Sequence, residues 1–260
     1  MPFADVAGGR IYYERHGPRP GAAPAIVFAH GAGGNHLSWW QQAPHFRDRY
    51  ACIVFDHRGF GQSVDGDGRG GAAFADDLRG LLDHLGIERA HLVAQSMGGW
   101  TCLRFAIRHP ERVATLVMAA THGGLSTPEI DEAWRVSRTL RAELPDDVYP
   151  AAGARMRAEQ PELHFLYRQI DALNPPRTDR DLARILQQAG RVTPDEVAAL
   201  DIAVLFVGGD EDVVIPPQVL GLACGHFPDA RRATVERSGH SVYFERAGAF
   251  NALVEDFLAS

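Results

Sequence analysis

Residues 93–100 read VAQSMGGW. Ser96 stands between Gln95 and Met97, with Gly98 and Gly99 directly behind it. The pattern is one residue short of Gly-x-Ser-x-Gly, which marks a nucleophilic serine on a sharp turn from strand to helix. Ala94 occupies the place of the first glycine. Such an elbow needs small side chains two positions either side of the serine, because strand and helix pass close there. Ala94 adds one methyl on the strand side, and Gly98 leaves the helix side bare. A competing reading makes Ser96 the cap of a helix that starts at Met97. A serine hydroxyl is a weak nucleophile until a base takes its proton. The choice therefore turns on whether the chain supplies a base and an acid in suitable places.

Around this stretch, short apolar runs alternate with helical patterns. The runs are AIVFA (25–29), ACIVF (51–55), AHLVA (90–94), VATLVMAA (113–120) and IAVLFVGG (202–209), with a sixth inside RRATVERSGH (231–240). They show little polar alternation, as expected of parallel strands covered on both faces. Residues 74–85 place Phe74, Leu78, Leu81, Leu82 and Leu85 on one helical face. A second helix is expected over 97–109, stopped by Pro110. A third is expected in the tail, where Phe244, Phe250, Leu253, Val254 and Phe257 form a stripe. Strand–helix alternation of this kind predicts an α/β fold with a mostly parallel central sheet flanked by helices. GRIYYER (9–15) alternates apolar and polar residues and predicts an antiparallel edge strand.

The stretch 123–200 breaks the rhythm. It has no convincing strand and carries helical pieces at 127–144, 145–159, 161–173 and 178–190. Thr127, Asp179 and Thr193 are the expected helix starts. The expected organisation is a core made of 1–122 and 201–260, with 123–200 inserted as a helical cap. Arginines in the insertion have acids nearby, which reads as a solvated face. Trp134, Leu140, Phe165, Leu166 and Tyr167 could line a pocket or form the insertion's own core.

Bulk properties exclude several classes. The 260 residues are 45% hydrophobic and 23% charged, enough apolar material for a full core. A formal charge of −7 with no basic stripe argues against a nucleic-acid partner. Cys52, Cys102 and Cys224 are scattered and odd in number, which suits buried thiols in a reducing compartment. The opening residues, MPFADVAGGR, do not read as a signal peptide, and no run reaches membrane-span length. A cytoplasmic location without membrane attachment is expected. No phosphate-binding glycine motif and no zinc-ligand spacing is present, so neither a cofactor nor a metal is expected.

Active sites of open α/β sheets lie beyond the carboxyl ends of the strands. VGGDEDVVIPP follows the fifth run and offers Asp210, Glu211 and Asp212. SGHSVYFE follows the sixth and offers His240. His36, His57, His122 and His164 can approach a pocket, but none is expected to be the base. The order serine, acid, histidine differs from that of chymotrypsin-like and subtilisin-like chains.

From about residue 9 to the C-terminus, except the insertion, the chain resembles the α/β-hydrolase superfamily. HGAGG (30–34) matches its oxyanion loop, DHRGFGQS (56–63) its glycine-rich turn, AQSMGG its nucleophile elbow, GGDEDVVIP its acid loop and SGHSVYFE its histidine loop. The insertion is similar to the family's helical cap in position and character. The resemblance implies a serine hydrolase with Ser96 as nucleophile, His240 as base, Asp212 as the acid four residues before Pro216, and the backbone N–H groups of Ala32 and Met97 as oxyanion donors. It implies a small-molecule substrate, partly apolar, with an ester or lactone to cleave. Two alternatives stand beside this reading. SMGG and GGL (123–125) are similar to motifs of meta-cleavage-product hydrolases, which cut carbon–carbon bonds. Those commonly have tryptophan where this chain has Ser241, and a proline absent from HGAGG. The other alternative is a ligand-binding protein on the same scaffold without turnover.

Overall fold

The computed structural model describes residues 2–145 and 148–260. The side chain of Leu140 lies outside the described part, as do residues 146 and 147 of the expected 145–159 helix. The strands are β1 (Phe3–Val6), β2 (Gly9–His16), β3 (Ala25–Ala29), β4 (Ala51–Phe55), β5 (Val64–Asp65), β6 (Ala90–Gln95), β7 (Val113–Ala119), β8 (Ala203–Gly209) and β9 (Ala230–Val235). They form one sheet in the order β1-β2-β4-β3-β6-β7-β8-β9, with β5 paired to β2. From β4 to β9 every pairing is parallel. This is the mostly parallel α/β sheet that the apolar runs predicted, in the arrangement that the resemblance to α/β-hydrolases implied.

The first expected edge strand is a correction. Residues 9–16 are antiparallel, but they do not form the edge. β1 pairs with their first half, Phe3↔Tyr12 to Val6↔Gly9, and β4 with their second, Tyr13↔Phe55 to His16↔Cys52. β1 itself is the edge. Four residues are too few to show a period-2 pattern, and β1 exists because the chain turns back at Gly8, whose φ is 71°.

Helices cover both faces. On one face lie α2 (Phe74–His84) and α3 (Gly98–Arg108), with Leu78, Leu81, Leu103 and Phe105 packed on Val27 and Leu92. On the other lie α1 (Gln42–Phe46) and, at the C-terminus, a long helix ending at Ala259, with Phe46, Phe250 and Val254 packed on Ile26 and Phe28. Successive residues of β3 thus enter opposite cores, which is why the run shows no polar alternation.

Between β7 and β8 the chain runs through α4 (Pro128–Ala142), α5 (Gly153–Glu159), α6 (Pro161–Ala172), α7 (Asp179–Ala189) and α8 (Pro194–Ala198). The two ends of this segment are tied together: the Ser126 N–H donates to Val192 O (3.0 Å) and the Val192 N–H to Gly124 O (2.9 Å). Thr127 Oγ1 accepts the Ile130 N–H at 3.2 Å, and Thr193 Oγ1 accepts that of Glu196 at 3.4 Å, as expected of helix starts. The cap of α7 is Thr178, and Asp179 is the first helical residue rather than the capping one. Thr178 forms a reciprocal capping box with Asp181, three residues on, and this leaves Asp179 inside the first turn. After α9 (Pro217–Cys224), the tail splits into α10 (Val242–Glu245) and α11 (Ala247–Ala259), broken at Arg246, whose φ is −130°. Among the described residues, no helix is long and apolar enough to cross a membrane.

Candidate active site

β6 ends at Gln95 and α3 begins at Gly98, so the chain reverses within two residues. Ser96 adopts φ +48°, a left-handed conformation unusual for a residue with a side chain. Its N–H donates to Ala119 O (3.0 Å), and its carbonyl accepts the Gly99 N–H (2.9 Å). A Cβ at position 98 would collide with the Ala29 carbonyl oxygen, which is backbone and cannot yield. The methyl of Ala94, by contrast, is fully buried in the core without displacing the strand. Ser96 is not a helix cap. Met97 holds that position and makes no side-chain cap bond.

The Ser96 hydroxyl instead meets histidine. His240 Nε2 lies 2.9 Å from Ser96 Oγ, and His240 Nδ1 lies 2.9 Å from Asp212 Oδ2. The His240 and Asp212 side chains are both buried. The other Asp212 oxygen accepts the N–H groups of Val214 (2.7 Å) and Ile215 (2.9 Å), so Oδ2 is left facing the imidazole. Asp210 is exposed, and its carboxylate accepts the Ser238 N–H at 3.2 Å. Of the three acids in the loop, the fold brings Asp212 to the histidine.

The two expected oxyanion donors are aimed by their neighbours. Gly31 O accepts from His30 Nδ1 (2.7 Å) and from the Gly34 N–H (3.0 Å). In a trans peptide the N–H points opposite to the C=O, so the Ala32 N–H is turned away from these partners. The Ser96 carbonyl, held by Gly99, turns the Met97 N–H out of the start of α3 in the same way. The parallel register Ala29↔Ala94 brings the two loops side by side. His30 Nε2 accepts the His57 N–H (3.0 Å), which leaves its proton on Nδ1, and burial pushes its pKa down to about 4.

Of the other candidate histidines, two are occupied elsewhere. His36 bonds Asp56 (2.8 Å) and His57 bonds Thr101 Oγ1 (2.8 Å). His164 is half-buried on α6. His122 does reach the pocket, but burial lowers its pKa to about 4 and its Nδ1 faces Leu125 O (3.0 Å). The turn at 56–63 is structural, with Asp56 accepting from the His36 and Gln62 backbones.

Ser96 opens into a cavity of about 890 Å³. Its floor includes Ala32, Met97, Trp100 and His122. One wall is a stripe of α4, namely Asp131, Trp134, Arg138 and Arg141, and the facing wall is a stripe of α7 that includes Leu182 and Leu186. Trp134 is a lining residue, as one of its two readings had it. Phe165, Leu166 and Tyr167 are not. Phe165 is exposed, and Leu166 and Tyr167 pack into the cluster around Phe244, with the Tyr167 hydroxyl close to Gly33. Arg138 and Arg141 also depart from the expected solvated face. Sequence reasoning passed over them because charge counting along the chain cannot tell which side of α4 faces the cavity; the i, i+3, i+4 spacing from Trp134 was the available signal. Among the described residues, no group of His, Cys, Asp or Glu is arranged to hold a metal ion.

A family model described as the alpha/beta hydrolase fold matches residues 24–247. The chain belongs to the alpha/beta hydrolase family. Similar members of this family act as esterases, lactonases and carbon–carbon hydrolases. A thermophilic esterase from Thermogutta terrifontis superposes with a TM-score of 0.81 at 26% identity, covering 99% of this chain and 97% of that one. The enol-lactonase of Burkholderia xenovorans gives 0.79 at 26% identity, covering 100% of both. The 2-hydroxy-6-oxo-6-phenylhexa-2,4-dienoate hydrolase of Comamonas testosteroni is 31% identical, over 98% of this chain and 93% of the relative. As a member of the family the chain is a hydrolase.

Proposed function

We propose that the protein is a serine hydrolase that cleaves a small or medium carboxylic ester or lactone through an acyl-enzyme. The observation behind this reading is the line Asp212 Oδ2–His240–Ser96 Oγ, with both separations 2.9 Å, at the floor of the cavity. Ser96 Oγ attacks the carbonyl carbon while its proton moves to His240 Nε2. The carbonyl electron pair shifts to oxygen, and the N–H groups of Ala32 and Met97 receive the resulting charge, aided by the positive end of α3. The C=O re-forms, the alkoxide leaves, and it takes the proton from Nε2. Water then attacks the acyl-enzyme, giving its proton to His240, and Ser96 departs with that proton. Asp212 holds the imidazole tautomer and balances its positive charge. In this reading the segment 123–200 is a cap over a core of 1–122 and 201–260, and the chemistry uses protein groups alone.

Two measurements test the reading. A fluorophosphonate should label the wild type and not Ser96→Ala, and Ser96→Ala should hydrolyse p-nitrophenyl esters at the background rate while keeping the native circular dichroism. Labelling of the alanine variant, or its unchanged turnover, sinks the assignment. A wild type that binds ligands but never labels points to a binding protein on this scaffold. The relative from Comamonas testosteroni favours one second reading, carbon–carbon cleavage of a vinylogous diketone. A panel of esters, lactones and such diketones separates the two.

A further inference from the structure

Resting on the ester or lactone reading above, we propose that the substrate bears a carboxylate remote from the scissile bond, received by Arg138 and Arg141. Both line the cavity that holds Ser96. Their spacing from Trp134 puts all three on one face of α4. That face is fixed in place, because Trp134 Nε1 (3.1 Å) and Ser137 Oγ (3.3 Å) both donate to Val214 O, so α4 is pinned to the loop that carries Asp212.

What sets these two arginines apart is that they line the cavity without a described carboxylate partner. Elsewhere in the segment Arg135 pairs with Glu132 (2.6 Å), Arg155 with Glu211 (2.5 Å), Arg184 with Asp181 (2.9 Å) and Arg191 with Asp131 (2.7 Å). Among the described residues Arg141 makes no ion pair or hydrogen bond, and its Nε is buried without an acceptor. Arg138 lies over the Trp134 ring at 5.4 Å and otherwise meets no described partner. Arg138 is exposed, so burial bears on Arg141: a buried guanidinium N–H without an acceptor is unfavourable unless a ligand supplies one. Burial, and then the neighbouring Arg138, push the Arg141 pKa down, against the opposing pull of Asp179 and Asp212.

The acids near the pair do not consume it. Asp131 is taken by Arg191 (2.7 Å) and Ser126 (3.0 Å), and Asp212 is filled by His240, Val214 and Ile215. Asp179 is the remaining carboxylate on the cavity wall. Two guanidinium groups against one carboxylate leave one positive charge in excess, which suits a singly charged group. The planar fork of arginine fits a carboxylate in particular. Across the cavity Leu182 and Leu186 offer an apolar wall. The ligand this describes is a half-ester of a dicarboxylic acid, or a lactone with a carboxylate arm, joined by an apolar spacer.

The test compares p-nitrophenyl pentanoate with mono-p-nitrophenyl glutarate, which replaces the terminal methyl by a carboxylate. The wild type should favour the glutarate ester in kcat/KM, chiefly through KM. Arg138→Met and Arg141→Met should each lower that preference roughly tenfold, with Arg141→Lys intermediate. A wild type without the preference, or a double Met variant that keeps it, overturns the proposal. Calorimetry with monomethyl glutarate and Ser96→Ala needs no turnover. Binding that the two Met substitutions abolish upholds the carboxylate site even if no ester is cleaved, in which case the ester reading alone fails. Hydrolysis of the pentanoate ester with no binding of monomethyl glutarate overturns the carboxylate site alone.

Discussion

Glu245 brackets His240. One oxygen of its carboxylate accepts the Gly239 N–H at 2.9 Å and the other accepts the Ser241 N–H at 3.2 Å, so the residues on both sides of the histidine hang on one buried side chain. Burial pushes its pKa from 4.5 up to about 7; the two N–H groups and Arg246 oppose the shift, and Asp212 adds to it. A raised carboxyl favours the neutral form in the folded state. Its contribution to stability is full below about pH 4.5 and is lost as pH rises through about 7. Relative to Glu245→Gln, the wild type should therefore lose about 2 kcal/mol between pH 5 and pH 8. Urea unfolding at the two pH values measures the difference, and a gap that stays constant would place the titration elsewhere.

The two aspartates of the acid loop predict unequal damage. Asp212 faces His240, whereas Asp210 only accepts a backbone N–H near the surface. Asp212→Asn presents an N–H where the imidazole needs an acceptor and should lower kcat by about 10⁴. Asp210→Asn should stay within about tenfold of wild type, since it keeps an oxygen for Ser238. Steady-state kinetics on one ester decides the matter, and a reversal of the two effects would falsify the assignment of the acid.

At the elbow, the two small residues flanking Ser96 are not equivalent. Gly98→Ala drives a Cβ into the Ala29 carbonyl and should cost more than about 2 kcal/mol together with most activity. Ala94→Gly should cost about 1 kcal/mol, through backbone entropy. Ala94→Val overpacks a fully buried site and should cost about 1–3 kcal/mol and lower activity. Thermal midpoints and ester turnover rank the three, and full activity in Ala94→Val would contradict this account of the packing.

Away from the site, Arg58 holds the glycine-rich turn. Its side chain is inaccessible to solvent and bonds both oxygens of Asp77 at 2.6 Å, with Asp67 at 2.7 Å and Ala7 O at 3.0 Å. Burial raises the Asp77 pKa even against this pairing. Arg58→Met strands a buried carboxylate and should cost about 3–5 kcal/mol. Adding Asp77→Leu removes the stranded charge and should recover part of the loss. Chemical denaturation of both variants checks this, and no recovery in the double variant would mean that Arg58 acts through Asp65, Asp67 and Ala7 instead.

The sequence by itself determined the sheet and the placement of its chemistry. Strands covered on both faces must be apolar throughout, so β3, β4, β6, β7 and β8 announce themselves, and active-site loops follow strand ends. Ser96, His240 and the loop with Asp210, Glu211 and Asp212 were legible for that reason, with Asp212 singled out by the family resemblance, and so was the helical character of the segment between β7 and β8. Tertiary structure alone decided the rest. β1 is too short to carry a pattern, and its edge position depends on pairing with β2. That the Asp212 carboxylate turns toward His240 and the Asp210 carboxylate toward the Ser238 N–H depends on the conformation of the loop. The grip of Glu245 on the histidine loop depends on a helix of four residues folding back. The lining of the cavity was least legible, since Tyr167 and Trp134 look alike as apolar candidates yet pack into different clusters. Periodicity tells which residues share a helix face. It does not tell what that face meets, because the partner surface comes from residues far away in the chain.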